Sequence, residues 1–132
     1  DYRSSRGLGD VYKRQIVKNN TVGGYKQYYE QIWAHVNKKF QGKPVTLHRM
    51  TTDDFFRRFK EKVDWVFVDA LHTYDNCLKD LKNSLNIVKK GGSIYGDDYG
   101  VKPGTTKAVD EFIAGTGYTL DNFYKDQFEI KI

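Results

Sequence analysis

The spacing of apolar residues predicts a helix where the structured part of the chain begins, near Gly24. The segment YKQYYEQIWAHVNKKF places its large apolar side chains on one helical stripe, namely Tyr25, Tyr28, Tyr29, Ile32, Val36 and Phe40. Lys38 and Lys39 suit its last turn, because the carboxyl end of a helix dipole favours cations. QGKP ends this helix, and VTLHRM after it predicts a short strand.

A second helix and a buried strand follow. In TTDDFFRRFK, Thr51 or Thr52 is a suitable N-cap for a helix that carries acids in its first turn. The next segment, VDWVFV, has an apolar run without polar alternation, which is typical of a parallel strand covered on both faces. DNCLKDLKNSLNIVKK then predicts a helix that buries Leu78, Leu81, Leu85 and Val88 and ends at Gly91 and Gly92.

The remaining segments complete an α/β pattern. SIYG predicts a third strand, and Thr105 or Thr106 caps the helix after it. YTLDNFY and QFEIKI alternate with period two around Lys125 and Asp126, as in a hairpin. Strands that alternate with helices indicate an open, doubly wound, mostly parallel sheet, here with a C-terminal antiparallel hairpin. Such a sheet binds its ligands beyond the carboxyl ends of its strands.

Residues 1–15, DYRSSRGLGDVYKRQ, show neither the helical nor the strand period. The piece RGLGDVYKRQ resembles translated adapter sequence found at the broken ends of environmental gene fragments, and a disordered native arm is the alternative. We therefore predict a non-native or disordered arm over 1–15 and a domain over 16–132.

Composition limits where the protein works and what it binds. At 132 residues the chain is long enough for one domain with a modest core. No apolar run approaches the roughly 20 residues of a membrane helix, and no signal-peptide stretch opens the chain. Cys77 is the only cysteine and cannot form an internal disulfide, so we predict a cytoplasmic protein without membrane partners. The net charge of +5 is scattered over solvated helix faces, so we expect no nucleic-acid partner.

Carboxylates follow two of the predicted strands at the point where each strand ends. Asp69 comes directly after VDWVFV, and Asp97 and Asp98 come directly after SIYG. If these strands are parallel neighbours, their ends lie roughly 5 Å apart, and three such carboxylates repel one another unless a cation lies among them. Hard oxygen ligands suit Mg²⁺, Mn²⁺ or Ca²⁺. The alternative is that Asp98 only turns the loop while Asp97 faces solvent.

His72 lies three residues beyond Asp69, in a loop at the mouth of the predicted cleft. An imidazole titrates near neutral pH, so His72 is a candidate general base. A structural hydrogen bond is the alternative role for a single histidine in a loop. Tyr74 and Tyr99 are expected to pack or to line the pocket and not to take part in the chemistry.

The segment VDWVFVDALHTYDNCLKDLKNSLNIVKKGGSIYGDDYG, followed by GTTKAVDEF, resembles the C-terminal half of class I S-adenosylmethionine-dependent methyltransferases. It is most similar to the methyltransferase-24 type, which is allied to metal-dependent O-methyltransferases. The resemblance rests on the order and spacing of four features. These are an acid after the fourth strand of the family, a histidine and a tyrosine just beyond it, KxGG after the next helix, and paired acids after the fifth strand. The resemblance implies a Rossmann-like fold and runs from about Tyr25 onward.

The resemblance also implies the ligands. S-adenosylmethionine would be the cofactor, with Met50, Thr51 and Thr52 beside its adenine and Asp69 as a further contact. Mg²⁺ would be held by Asp69, Asp97 and Asp98. His72 would stand where a base near the acceptor hydroxyl belongs, and the reaction would be methyl transfer to a hydroxyl group of a small molecule.

One departure from the family pattern concerns the segment before Tyr25. The family has a glycine-rich loop after its first strand and an acid after its second strand, and this sequence shows neither there. We therefore expect an N-terminally truncated methyltransferase that lacks the first strands and is inactive alone. Two alternatives stay open: a hydroxylase-like or sugar-modifying metal-dependent α/β enzyme, and a non-catalytic fragment that keeps the fold for partner binding.

Overall fold

A computed structural model of the chain describes residues 24–132. These residues belong to two compact units that divide between Met50 and Thr51. The first unit contains helix α1 (Gly24–Phe40). The second contains α2 (Thr52–Arg58), β1 (Val63–Val68), α3 (Tyr74–Ile87), β2 (Val88–Gly96), α4 (Pro103–Thr116), β3 (Thr119–Tyr124) and β4 (Gln127–Lys131). The predicted arm over 1–15 lies outside the described residues.

The first unit confirms the predicted helix but not the strand after it. α1 ends at Phe40, with Lys38 and Lys39 in its last turn. The predicted strand VTLHRM is wrong, because residues 45–50 pair with no strand in the described part of the chain. The amide of Val45 instead donates to the carbonyl of Lys43 in a tight turn.

The sheet of the second unit is mixed. Its strand order is β1-β2-β4-β3. β1 and β2 are parallel, whereas β4 runs antiparallel to both β2 and β3. The α/β class and the C-terminal hairpin are therefore confirmed. The prediction of a mostly parallel sheet is not met within residues 24–132, because VTLHRM adds no strand beside β1.

Gly91 and Gly92 belong to β2 and do not end α3. α3 ends at Ile87, and Val88 already belongs to β2. The amide of Gly91 donates to the carbonyl of Ile132, and the amide of Ile132 donates to the carbonyl of Gly92. A Cβ atom at Gly92 would lie 2.3 Å from the carbonyl oxygen of Asp64, so only glycine permits this approach. The predicted helix end at Gly91 and Gly92 is therefore wrong.

The hydrophobic core lies where α3 and α4 pack together and α3 contacts β1 and β2. Its fully buried side chains include Leu81, Ile94, Val109, Phe128 and Ile130. Val66 and Val68 of β1 pack against this core, and the alternating residues Trp65 and Phe67 point the other way. Trp65 is 61% exposed and Phe67 is 44% exposed. The prediction that this strand is covered on both faces is wrong for the described residues.

Of the N-cap residues predicted for α2 and α4, only that of α2 is confirmed. The Thr51 hydroxyl accepts a hydrogen bond from the amide of Asp54, as expected of an N-cap. α4 is capped by Lys102 and not by a threonine, because Pro103 with its fixed φ begins the helix. The N-cap of α3 is Thr73. None of the helices found in residues 24–132 is long and apolar enough to cross a bilayer.

Candidate functional site

The site is built on the carboxyl ends of two adjacent parallel strands. Val68, the last residue of β1, is in register with Gly96, the last residue of β2. Asp69 therefore leaves the sheet beside Asp97, at the edge where α/β sheets bind their ligands. The prediction that these two strand ends lie side by side is confirmed.

Asp98 and His72 contact each other across this edge. Nδ1 of His72 lies 3.1 Å from Oδ2 of Asp98. Asp98 is only 1% exposed, and the His72 side chain is 17% exposed. A proton on Nδ1 satisfies the contact with the carboxylate and leaves Nε2 as the ring nitrogen that accepts a proton.

The backbone around Asp98 forms a tight turn. Asp98 has φ of 69°, in the left-handed region that aspartate tolerates better than most side chains do. Its carbonyl oxygen accepts from the amide of Lys102 at 3.0 Å. The amide of Tyr99 donates to the carbonyl of Asp126 at 2.8 Å, so the hairpin turn holds this loop from the other side. Asp98 thus turns the loop as well as facing His72.

Two groups of potential metal ligands share Asp98. One consists of Asp69, His72 and Asp98, and the other consists of Asp97, Asp98 and Asp126. Within each group the ligand atoms lie within 4.8 Å of one another. Among the described residues, Asp69 and Asp97 do not occur in one group, although both lie close to Asp98.

Asp126 is the site residue that sequence reasoning missed. It lies in the turn between β3 and β4, which the sequence placed in a hairpin but not beside any other element. The antiparallel pairing of β4 with β2, in which Phe128 lies opposite Gly96, brings that turn to the loop after β2. The only signal in the sequence was an acid in a hairpin turn, which does not specify a neighbour.

The donor chemistry of the two groups differs. Asp97, Asp98 and Asp126 offer only carboxylate oxygens, the donor set of Mg²⁺, Mn²⁺ and Ca²⁺. The group with His72 adds an imidazole nitrogen, which broadens its affinity toward transition metals. Three carboxylates this close repel one another, and a cation offsets that repulsion. The residues present therefore fit a hard divalent cation.

The residues expected to border the cofactor fall on both sides of the division between units. Met50 closes the first unit and is exposed, whereas Thr51 and Thr52 open the second. The hydroxyl of Thr51 caps α2, and the hydroxyl of Thr52 hydrogen-bonds to the carboxyl group of Asp80. Both hydroxyls are thus engaged in holding α2.

A family model described as a methyltransferase domain, of the methyltransferase-24 type, matches residues 5–99, which is most of the chain. The chain belongs to this methyltransferase domain family. The match includes the candidate site residues Asp69, His72, Asp97 and Asp98. The resemblance inferred from the sequence is confirmed, and the range matched by the methyltransferase domain model begins before Tyr25.

The fold of this methyltransferase domain is similar to that of a solved structure, that of the O-methyltransferase NovP. The two chains are 18% identical and superimpose with a TM-score of 0.56. The similarity covers 99% of this chain and 55% of the other, so the chain spans about half the length of that protein. No curated protein matches the sequence.

Proposed function

We propose that the protein containing this chain transfers the methyl group of S-adenosylmethionine to a hydroxyl group of a small molecule, with help from a divalent cation. Membership of the methyltransferase domain family supports the methyl transfer. The similarity to an O-methyltransferase supports oxygen as the acceptor atom. The observation that carries the proposal is the contact between His72 and Asp98 at the carboxyl ends of β1 and β2.

His72 is the proposed general base. Its Nδ1 is held by the buried carboxylate of Asp98, which fixes the orientation of the ring. Nε2 then receives the proton of the acceptor hydroxyl. When bound, S-adenosylmethionine would supply an electrophilic methyl group on sulfur and leave as the neutral thioether. Removal of the hydroxyl proton by His72 makes the acceptor oxygen a better nucleophile.

Asp69, Asp97 and Asp98 are the proposed ligands of Mg²⁺. Asp98 belongs both to the group that contains Asp69 and to the group that contains Asp97 and the further candidate Asp126. When bound, the cation would supply positive charge that makes the acceptor hydroxyl easier to deprotonate. The carboxylates are fixed by the ends of paired strands and by the hairpin turn, so their spacing does not depend on a long loop.

The proposed cofactor contacts are Met50, Thr51, Thr52 and Asp69. The exposed side chain of Met50 suits packing against a purine ring, because thioethers adapt to flat apolar surfaces. Thr51 and Thr52 contribute through their backbone, since their hydroxyls already hold α2. Asp69 directly follows β1, at the edge of the sheet that carries the candidate site.

The test is a methyl-transfer assay on the protein containing this chain, with labelled S-adenosylmethionine and a panel of hydroxylated small molecules. We expect labelled product in Mg²⁺, a lower rate in chelator, and a loss of rate of about 100-fold or more in His72→Ala. Asp64→Asn is the control, because Asp64 is exposed at the opposite end of β1.

Cofactor binding without any methylated product would contradict the proposed acceptor class. Binding of metal but not of S-adenosylmethionine would instead favour a hydroxylase-like or sugar-modifying enzyme. Failure to bind either ligand would favour a non-catalytic role.

A further inference from the structure

One face of α4 contacts the loop that carries Asp98 and also the first residue of α3, which lies two positions beyond His72. The contacting side chains are Thr106, Lys107, Asp110 and Glu111. Residues four apart on a helix lie one above the other, so Thr106 and Asp110 form one row and Lys107 and Glu111 form the adjacent row. The first row meets the loop after β2, and the second row meets the start of α3.

The first row holds the loop after β2. The Thr106 hydroxyl accepts from the amide of Gly100 at 2.9 Å and donates to the carbonyl of Lys102 at 3.0 Å. The Tyr99 hydroxyl donates to Oδ1 of Asp110 at 2.7 Å. Tyr99 directly follows Asp98, so these bonds fix the chain on the C-terminal side of the buried carboxylate.

The second row holds the start of α3, just beyond the loop after β1. The Tyr74 hydroxyl donates to the carboxylate of Glu111, and Nζ of Lys107 lies 4.3 Å from the centroid of the Tyr74 ring. Close backbone packing adds to this, because a Cβ atom at Gly104 would lie 2.4 Å from the carbonyl oxygen of His72. Tyr74 is two residues beyond His72, so this row fixes the chain next to the imidazole.

We propose that Asp110 and Glu111 are positioning residues, which hold His72 against Asp98 through the hydroxyls of Tyr99 and Tyr74. Neither acid touches the candidate reacting groups. Asp110 anchors Tyr99, which directly follows Asp98, and Glu111 anchors Tyr74, which is two residues beyond His72. Both acids lie on α4. The pairing of β1 with β2 brings the two loops together, and α4 contacts the chain beyond each of them.

Physical chemistry favours this role over incidental surface bonding. A carboxylate accepts a hydrogen bond more strongly than a neutral oxygen does. Consistent with that, the hydrogen bond to Glu111 raises the pKa of Tyr74, and the bond to Asp110 raises the pKa of Tyr99. Displacement of a catalytic group by an ångström lowers a rate by about 100-fold, so a small loop movement matters.

The test is a long-range ¹H–¹⁵N spectrum of the imidazoles in the 132-residue chain at one fixed pH. We expect Asp110→Ala and Glu111→Ala each to move the His72 Nδ1 resonance away from its position in the parent. Asp110→Asn and Glu111→Gln keep an oxygen that accepts from tyrosine, so we expect them to restore the parent spectrum. His35 and His48 belong to the other unit and serve as internal controls that stay unchanged.

Tyr99→Phe and Tyr74→Phe remove the same two hydrogen bonds but keep the aromatic rings. If an alanine variant does not fold, the spectra of these two variants test the positioning role. A purely stabilising role would lower the melting temperature without moving the His72 resonances. That result, or alanine and phenylalanine variants whose spectra superimpose on the parent, would overturn the proposal.

The consequence for turnover rests on the proposed methyl transfer. In the active protein we expect Asp110→Ala to lower kcat about tenfold with KM nearly unchanged, and Asp110→Asn to recover most of the rate. An inactive parent would count against the proposed function, whereas the imidazole spectra decide the positioning role on their own.

Discussion

Asp98 combines three properties in one residue: it is buried, it adopts a left-handed backbone, and it belongs to both groups of potential metal ligands. Glycine and asparagine also tolerate that backbone, but neither carries a charge. The aspartate is therefore explained by its charge, since the turn alone would accept the neutral residues. The sequence raised turning and metal binding as alternatives for this residue, and the geometry is compatible with both.

Asp98→Asn separates these two roles. Asparagine keeps the left-handed turn but loses the negative charge, so we expect a nearly unchanged melting temperature and an affinity for Mn²⁺ at least about tenfold lower. Titration of the chain with Mn²⁺, followed by electron paramagnetic resonance, measures this. Asp64→Asn controls for loss of an exposed carboxylate, and equal Mn²⁺ affinity in both variants would remove Asp98 from the metal site.

Asp80 gives a prediction about pH. It is buried on α3, and burial raises its pKa, while the hydrogen bond from Thr52 acts in the opposite direction. The unfolded chain loses this proton first as the pH rises above about 4, so the folded state becomes relatively less stable until its own raised pKa is passed. At pH values above the pKa of folded Asp80, the buried negative charge lowers the free energy of unfolding by its full amount.

Asp80→Asn removes this cost and keeps an oxygen that accepts from Thr52. We expect a higher melting temperature than the parent at pH 7, with the gain disappearing near pH 3.5. Thermal unfolding at both pH values measures the effect. Asp75→Asn, an exposed site on the same helix, should give no gain at pH 7, and an equal gain there would mean that burial of Asp80 is not the cause.

At the scale of elements, the end of β2 depends on close packing against β4. A Cβ atom at Gly96 would lie 2.3 Å from an atom of the Phe128 ring and 2.9 Å from the carbonyl oxygen of Val68. Phe128 is fully buried, so neither side of this contact can move away easily. Gly96 thus lets the strand that carries Asp97 and Asp98 approach the hairpin.

Two glycine substitutions test this packing. We expect Gly96→Ala to lower the free energy of unfolding by about 1–3 kcal/mol through overpacking. Gly115→Ala is the matched control, because Gly115 lies in α4 with open space around it, and alanine there should stabilise the chain by about 0.5–1 kcal/mol. Denaturant unfolding measures both, and a neutral Gly96→Ala variant would contradict the packing argument.

The sequence predicts an element well when the residues that determine it are close together along the chain. The stripe of α1, the cap at Thr51 and the turn at Lys125 and Asp126 are set by neighbouring residues, and all were predictable. The sequence predicts helix for the first residues of the strand Val88–Gly96. The prediction fails there because Gly91 and Gly92 pair with Ile132, which is far away along the chain. The sequence does not predict the proximity of Asp126 to Asp98 for the same reason, because these two residues are also far apart along the chain. For His72 and Asp98, the sequence predicts that both follow neighbouring parallel strands at one edge of the sheet. It does not predict that their side chains contact each other.

At the scale of the molecule, β1 forms one edge of the sheet found in the described residues. It carries two exposed aromatic side chains, Trp65 and Phe67, on the face away from the core. Exposed apolar edge strands promote association between chains, and charged side chains suppress it.

Trp65→Lys should therefore reduce self-association of the chain without lowering its melting temperature. Sedimentation velocity over a range of concentrations measures the association. Val66→Lys is the comparison, because Val66 packs against the core and a charge there should destabilise the fold. A parent chain that stays monomeric at every concentration would contradict the prediction.

The strand order has a consequence for the order of events during synthesis. β4 is the last of the four strands to leave the ribosome, yet it lies inside the sheet, between β2 and β3. Of the two strands that pair with β2 in the described part of the chain, β1 alone is present before β4 emerges, and the loop after β2 then lacks the hairpin turn that supports it. The nascent chain therefore carries Asp97 and Asp98 without the support of the hairpin turn until β4 has emerged, and the edge that holds the candidate site is completed only when the hairpin folds in.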